Sequence, residues 1–163
     1  NFLKDSFFRL LNNTLLLNYQ ISKFDQNIDP RCSYCKAKTM PTVSEKENVF
    51  HIFMQCDNLT SLRDVLTNDD LFDTPIADTD FILGGTGHRP CETLLKNFLI
   101  LNFNRLIYNY RKNARALTPE KLTSDLCSVL RLLSQASRKL YAIVSGHAEL
   151  YPEFKEKFNV YDY

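Results

Sequence analysis

Glycine and proline are scarce in this sequence, and long apolar runs are missing. Four glycines and six prolines are too few for the tight turns of an all-β chain, and the low-complexity runs typical of disorder are absent. No apolar run approaches the roughly 18 residues of a membrane span, and Asp5 and Arg9 interrupt the apolar pattern that a signal peptide would have. We therefore expect an intracellular protein, nuclear or cytoplasmic, without a membrane partner.

The hydrophobic content is sufficient for one core. Hydrophobic residues make up 44% of the chain and aromatic residues 12%, which at this length favours a single domain. We predict an all-α fold. The sequence begins at Asn1, without an initiator methionine and already within an amphipathic pattern. We therefore expect a piece of a longer polypeptide.

Apolar residues at helical spacing predict the helices. The predicted segments are residues 2–20, 45–67, 80–83, 91–116, 119–145 and 148–158. Thr118 is a favourable N-cap and Pro119 suits the first helical position, whereas Gly146 is a natural stop. Residues 31–45 are predicted to be an irregular loop, and residues 68–90 a long acidic connection.

Two long amphipathic helices dominate the C-terminal half. The apolar stripe of the first consists of Leu95, Leu99, Phe103, Leu106 and Tyr110. The stripe of the second consists of Leu122, Leu126, Val129, Leu133, Ala136, Leu140 and Val144. We expect the opposite faces to be exposed to solvent. On the first helix that face carries Asn97, Asn104, Arg105, Tyr108, Arg111, Lys112 and Arg115.

The formal net charge of +1 hides an uneven distribution. Residues 45–92 carry three basic and ten acidic side chains, whereas residues 96–140 carry nine basic and two acidic ones. These oppositely charged segments face either a partner or each other. The sequence leaves both interpretations open.

The cysteines form a metal-binding pattern. Their total of five is odd, which disfavours a secreted disulfide framework. Cys32 and Cys35 form a Cys-x2-Cys turn, fifteen residues separate Cys35 from His51, and four separate His51 from Cys56. The turn sets two thiolates at the separation that zinc needs. Three thiolates and one imidazole complete a tetrahedron, so we predict a structural CCHC zinc site with Cys56 at or just past a helix end.

The predicted zinc ion defines the organisation of the domain. Its parts are a zinc-binding part over residues 1–67, an acidic Gly/Pro linker over residues 68–90, and a helical hairpin with a short final helix over residues 91–158. The alternative is a set of unrelated free cysteines and a core histidine. Cys91 and Cys127 stand alone and are interpreted as buried free thiols.

Several short motifs occur in a characteristic order. A Leu-rich run over residues 7–17 precedes Cys-Ser-Tyr-Cys, and residues 47–56 read Glu-Asn-Val-Phe-His-Ile-Phe-Met-Gln-Cys. Phe-Ile-Leu-Gly over residues 81–84 and Leu-Ile-Tyr-Asn-Tyr-Arg over residues 106–111 follow. Over about residues 2–145 the chain resembles the zinc-binding region downstream of the reverse transcriptase in non-LTR retrotransposon polyproteins. Met54 departs from that family's usual aromatic residue.

The resemblance implies an accessory function without catalysis in this chain. Asp69-Asp70 lacks the Tyr-x-Asp-Asp setting of a polymerase, so the polymerase would lie in the remainder of the polyprotein. By analogy, the domain would bind template RNA or target DNA, in an active element or in a host-domesticated copy.

Basic residues of the two long helices are the candidate nucleic-acid contacts. Each phosphate contact adds a salt-dependent share of affinity, and Tyr108 lies among basic residues where an unpaired base could stack. The candidates are Arg105, Tyr108, Arg111, Lys112, Arg115, Arg131 and Arg138. The alternative is a solvated surface that the acidic segment neutralises within the fold.

Two other function classes remain open. The first is a zinc-stabilised protein-interaction module that docks through the acidic segment or an exposed apolar edge. The second is a hydrolase using His88 and Arg89 with Asp78 and Asp80, although such spacing in an acidic loop is weakly specific. The glycine-rich run at residues 84–87 lacks the Lys-Ser/Thr of a phosphate-binding loop and is interpreted as a flexible bend.

Overall fold

The computed structural model describes residues 15–37, 45–67 and 69–160. The predicted all-α fold is confirmed, since β pairing in these ranges is limited to one isolated antiparallel bridge between Arg31 and Lys46. The helices are α1 (Asn18–Ile21), α2 (Ser33–Ala37), α3 (Thr60–Thr67), α4 (Asp80–Leu83), α5 (Pro90–Tyr110), α6 (Pro119–Ala136), α7 (Arg138–Leu150) and α8 (Pro152–Lys157). A π-helical turn spans His51–Gln55, and 3-10 turns span Asp57–Leu59, Asp69–Leu71 and Arg111–Ala116.

The predicted helix over residues 2–20 lies mostly outside the described residues. Within its range, α1 begins at Asn18. None of the described helices combines the length and the apolar character that crossing a membrane requires.

Helix α5 is central to the fold. It packs against α4, α6, α7 and the 3-10 turn that follows it, and Leu95, Leu99 and Phe103 are fully buried as predicted. Asn104 was expected on the solvated face, but this prediction is wrong: Asn104 is buried, and its Nδ2 donates to the Phe81 carbonyl at 2.6 Å. A helix surrounded by neighbours buries several of its faces, and polar groups there need hydrogen-bond partners.

The single helix predicted over residues 119–145 is instead two helices. Thr118 caps α6, and its hydroxyl accepts a backbone N–H at 3.2 Å. Ser137 then adopts an extended backbone (φ −145°, ψ 110°), after which α7 packs back on α6. Gly146, predicted as a stop, lies inside α7. The helix ends just before Pro152, because proline disfavours a helical conformation at the preceding residue.

Two further predicted helices are shorter than their apolar patterns. α5 ends at Tyr110, and Asn113 leaves helical geometry (φ −132°, ψ 57°) in the following 3-10 turn. The helix predicted over residues 45–67 starts at Val49 and is interrupted at Cys56, whose backbone is extended (φ −70°, ψ 108°). The short helix predicted at Asp80–Leu83 is confirmed.

A buried ion pair fastens the glycine-rich part of the linker to α5. Lys96 Nζ lies 3.2 Å from Glu92 Oε1, with both side chains fully buried, and Nζ also donates to the carbonyls of Thr74 and Thr86. Burial by itself raises the pKa of Glu92, but hydrogen bonds from Lys96 and the Thr74 N–H lower this pKa below its usual value. A Cβ at Gly87 would lie 2.8 Å from Glu92 Cδ, so any other residue there requires the Glu92 side chain to shift. This part of the linker is therefore anchored, not a flexible bend.

Candidate metal centre

The four predicted ligands meet at one place. The ligand atoms of Cys32, Cys35, His51 and Cys56 all lie within 4.8 Å of one another. Cys56 Sγ is 3.9 Å from Cys32 Sγ and 3.7 Å from Cys35 Sγ, and Cys35 Sγ is 3.3 Å from His51 Nε2. Tetrahedral zinc with ordinary Zn–S bonds separates its sulfur ligands by about 3.8 Å, whereas a disulfide needs about 2 Å. The cysteines are free and have the spacing of metal ligands.

Two segments bring Cys32 and Cys35 to this centre. Cys32 immediately precedes α2, which contains Cys35. The Cys32 N–H donates to the Glu45 carbonyl at 2.9 Å, next to the bridge between Arg31 and Lys46. The first ligand pair is thereby fixed against the segment that leads to His51.

The π-helical turn positions the other two ligands. In an α-helix, residues five apart point about 140° away from each other. The Cys56 N–H donates to the His51 carbonyl at 2.6 Å, which is the i to i+5 bond of a π turn, and this wider turn returns Cys56 beneath His51. The chain becomes extended at Cys56, so the predicted position of this ligand at a helix end is confirmed.

A buried glutamate next to the centre joins neighbouring segments by hydrogen bonds. Glu47 Oε1 accepts the Asn18 N–H at 2.9 Å, and Oε2 accepts the Ser33 N–H at 2.7 Å and the Ser33 hydroxyl at 2.5 Å. Arg111 Nη1 lies 3.8 Å from Oε1. The sequence pattern predicted no role for Glu47. Glu45, Lys46 and Asn48 flank it, so no local pattern distinguishes Glu47 from its polar neighbours.

A buried arginine fixes the backbone of the last ligand. Arg63 is only 6% exposed, and its Nη1 donates to the Cys56 carbonyl at 3.2 Å while Nη2 donates to Thr60 Oγ1. Its Nε lies 3.5 Å from the exposed carboxylate of Asp78. Arg63 therefore joins the metal centre to the linker.

The environment of the thiols disfavours their charged forms. The hydrogen bond with Cys56 and burial raise the pKa of Cys32 well above its usual value, and burial raises the pKa of Cys35. Three adjacent thiolates need a compensating cation, which a divalent metal supplies while it displaces their protons. Four protein donors leave no position for substrate, so a metal held here is structural.

Among the predicted nucleic-acid contacts, Tyr108 and Arg111 lie together. Arg111 Nη1 donates to the Leu16 carbonyl at 2.6 Å, and its guanidinium lies 4.2 Å from the centre of the Tyr108 ring. The Tyr108 hydroxyl donates to the same carbonyl at 3.4 Å. Both residues therefore join α5 to the segment before α1.

The other predicted contacts have different surroundings. Lys112, Arg131 and Arg138 are exposed, and Arg105 is half-buried. Arg131 lines a cleft that also includes Phe158 of the C-terminal segment. The side chain of Arg115 lies outside the described part of the structure. The ion pair of Arg111 with Glu47 joins the basic and acidic segments inside the fold. This contact agrees with the interpretation in which the two charged segments face each other.

The residues of the hydrolase hypothesis have separate partners. Asp78 pairs with Arg63, and Asp80 Oδ2 accepts the Ala77 N–H at 3.0 Å. Arg89 Nη2 lies 3.2 Å from Asp73 Oδ2 and donates to the Tyr151 hydroxyl at 3.1 Å. His88 is exposed.

No family model, curated protein or solved structure matches this chain. The resemblance to the retrotransposon proteins therefore rests on the short motifs alone.

Proposed function

We propose that the centre formed by Cys32, Cys35, His51 and Cys56 binds one zinc ion that stabilises the fold. The support is the donor set, since three sulfurs and one imidazole nitrogen at tetrahedral spacing suit zinc better than metals that prefer oxygen ligands. Because Cys32 and Cys56 are buried, water is excluded from the part of the site that these two ligands form.

The metal content of purified variants tests this assignment. We expect one zinc ion per chain in the wild type and loss of zinc in Cys35→Ala, measured by elemental analysis. Cys91→Ala is the matched control, because Cys91, which was predicted to be buried, is an exposed free cysteine on another helix. Cobalt substitution should give the visible absorption of a tetrahedral thiolate site in the control but not in Cys35→Ala. Equal zinc content in the two variants would contradict the assignment.

We further propose that the domain is a non-catalytic, nucleic-acid-binding accessory module of a non-LTR retrotransposon reverse transcriptase polyprotein. The motif order supports the polyprotein context. The observation that supports the binding function is the exposure of Lys112, Arg131 and Arg138, which lie in the 3-10 turn after α5 and on the two helices that follow. Exposed cations on neighbouring helices suit the phosphates of RNA or DNA.

Binding of labelled RNA and single-stranded DNA at rising salt tests the module. We expect Lys112→Glu/Arg138→Glu to weaken binding about tenfold or more and to lower the log–log salt slope by about 1.4, since two phosphate contacts are lost. Lys121→Glu/Lys155→Glu is the control, because it changes the net charge equally at other exposed positions. Arg111 is left unchanged because its contacts with Leu16 and Glu47 belong to the fold.

A protein-interaction module is the second candidate. The observation in its favour is the exposure of large apolar side chains, including Leu83 at 70% and Leu132 at 65%. This candidate predicts no retention of nucleic acid by the wild type even at low salt. It also predicts that the domain associates with the remainder of the polyprotein and that Leu132→Asp abolishes this association.

A further inference from the structure

Two lysines from separate segments lie against one tyrosine ring near the metal centre. Tyr19 belongs to α1, Lys23 follows that helix, and Lys46 forms the isolated bridge with Arg31. The ammonium groups lie 4.6 Å (Lys23) and 5.0 Å (Lys46) from the centre of the Tyr19 ring. Across the described ranges, the ion pairs involve other cations.

The contacts that build the metal centre also position this cluster. The Tyr19 N–H donates to the Glu47 carbonyl at 3.2 Å, and the Glu47 N–H donates to the Pro30 carbonyl at 2.7 Å. Lys46 is thereby held beside α1 by the backbone of its neighbour. The two ammonium groups are placed before any ligand arrives, which lowers the entropic cost of binding.

An exposed aromatic side chain is the sequence neighbour of Lys23. Phe24 directly follows Lys23 and is 88% exposed, and its backbone N–H is fixed by the Ile21 carbonyl at 2.9 Å. The neighbouring carboxylate of Asp25 is turned to its own loop, where Oδ1 accepts the Asn27 N–H at 3.0 Å. An exposed ring beside cations has the chemistry of a platform for unpaired bases.

We propose that Tyr19, Lys23, Phe24 and Lys46 form a binding site for single-stranded nucleic acid. The lysines contact backbone phosphates, and an unpaired base stacks on Phe24. This inference rests on the proposed nucleic-acid-binding function and adds to it a second set of contact residues, in the segment from Tyr19 to Lys46. Such a site prefers single strands, because the bases of a duplex are already stacked on each other.

Fluorescence anisotropy of the zinc-loaded domain with labelled oligo-dT and oligo-U tests the site and separates DNA from RNA. We expect Phe24→Ala to weaken binding about fivefold to a hundredfold and Phe24→Trp to retain it. Phe50→Ala is the control, since Phe50 is also exposed, at 55%.

Lys23→Gln/Lys46→Gln should lower the salt slope by about 1.4, whereas Lys121→Gln/Lys155→Gln should not. Because the substituted side chains are exposed, zinc content and helicity should stay unchanged.

The outcomes separate this site from the proposed function. If the wild type binds and only Lys112→Glu/Arg138→Glu reduces binding, the site at Phe24 is overturned and the proposed function stands. If Phe24→Ala reduces the binding of a duplex as much as that of a single strand, base stacking is overturned. If the wild type does not bind at low salt, both proposals fail.

Discussion

The metal region, described over residues 15–37 and 45–67, and the helical region, residues 90–158, are stabilised in different ways. Helices α1 and α2 have four and five residues, too few to be stable alone, and the groups that organise them are the metal ligands and the buried Glu47. The helical region has long helices with apolar stripes. Helices α1 and α2 add little to the apolar core that the later part of the metal region shares with the helical region, so specific bonds hold these two helices in place.

Metal removal should produce the largest difference between the two regions. Structural zinc contributes about 10–16 kcal/mol of apparent binding free energy in small domains, so chelation should unfold the metal region. Hydrogen exchange read by mass spectrometry should show lost protection over residues 17–37 and 45–66 and retained protection over residues 95–130. Equal loss in both regions would show that they form one cooperative unit.

Lys96→Met tests the buried ion pair of the helical region. Removal of the ammonium group leaves the Glu92 carboxylate buried without its partner, so we expect a loss of about 3–5 kcal/mol in unfolding free energy. Chemical denaturation measures this loss. The double variant Glu92→Gln/Lys96→Met should recover part of it, because the unpaired charge is then removed.

Glu47→Gln tests the corresponding polar group of the metal region. Its carboxylate accepts hydrogen bonds from Asn18 and Ser33, and an amide nitrogen in place of one oxygen cannot accept them. We expect a loss of about 1.5–3 kcal/mol, measured by thermal unfolding of the zinc-loaded protein. Glu45→Gln, at an exposed neighbour, should change stability little.

Acidification should weaken the helical region through His147. This histidine is buried, its Nε2 lies 2.9 Å from the Leu71 carbonyl, and burial lowers its pKa below the usual value of 6.5. The folded pKa is lower than the unfolded one. The stabilisation from the neutral histidine is therefore present above pH 6.5 and is lost as the pH falls toward the folded pKa. Each unit of difference between these two pKa values corresponds to about 1.4 kcal/mol of unfolding free energy.

His147→Phe retains an aromatic ring and cannot titrate, so it should flatten this pH dependence. Stability curves of the two proteins between pH 7 and pH 5 measure the difference. The nearby charges of Asp73, Arg89 and Glu92 are unchanged in both proteins. An identical slope would show that other groups cause the acid sensitivity.

Gly146→Ala should have the smallest effect and the opposite sign. Gly146 lies inside α7, and a Cβ added there meets no atom within 4 Å. We expect a stabilisation of about 0.5–1 kcal/mol, since alanine favours a helix over glycine. Thermal unfolding measures it, and destabilisation would show that glycine has another function here.

Local patterns predicted much of this molecule. The spacing of Cys32, Cys35, His51 and Cys56 was sufficient to predict the cluster. Tetrahedral coordination of a metal allows only a few spacings between neighbouring ligands in a sequence, and these four residues have such spacings. The apolar stripe of α5 was also correct in Leu95, Leu99 and Phe103.

What the sequence did not predict depends on contacts between distant segments. The break at Ser137 is marked by neither glycine nor proline, and the apolar spacing continues through it. The burial of Asn104 follows from packing against α4, and the role of Glu47 follows from donors that lie 14 and 29 residues away in sequence. Periodicity within one helix contains no information on such neighbours.

The contact between Gly87 and Glu92 limits how this protein can evolve. Any side chain at position 87 would displace the Glu92 carboxylate and, with it, the partner of Lys96. In homologues that share this packing, we therefore expect positions 87, 92 and 96 to change together, whereas position 146 should vary independently of them. A smaller or neutral residue at 92 would be the first step that opens position 87 to variation.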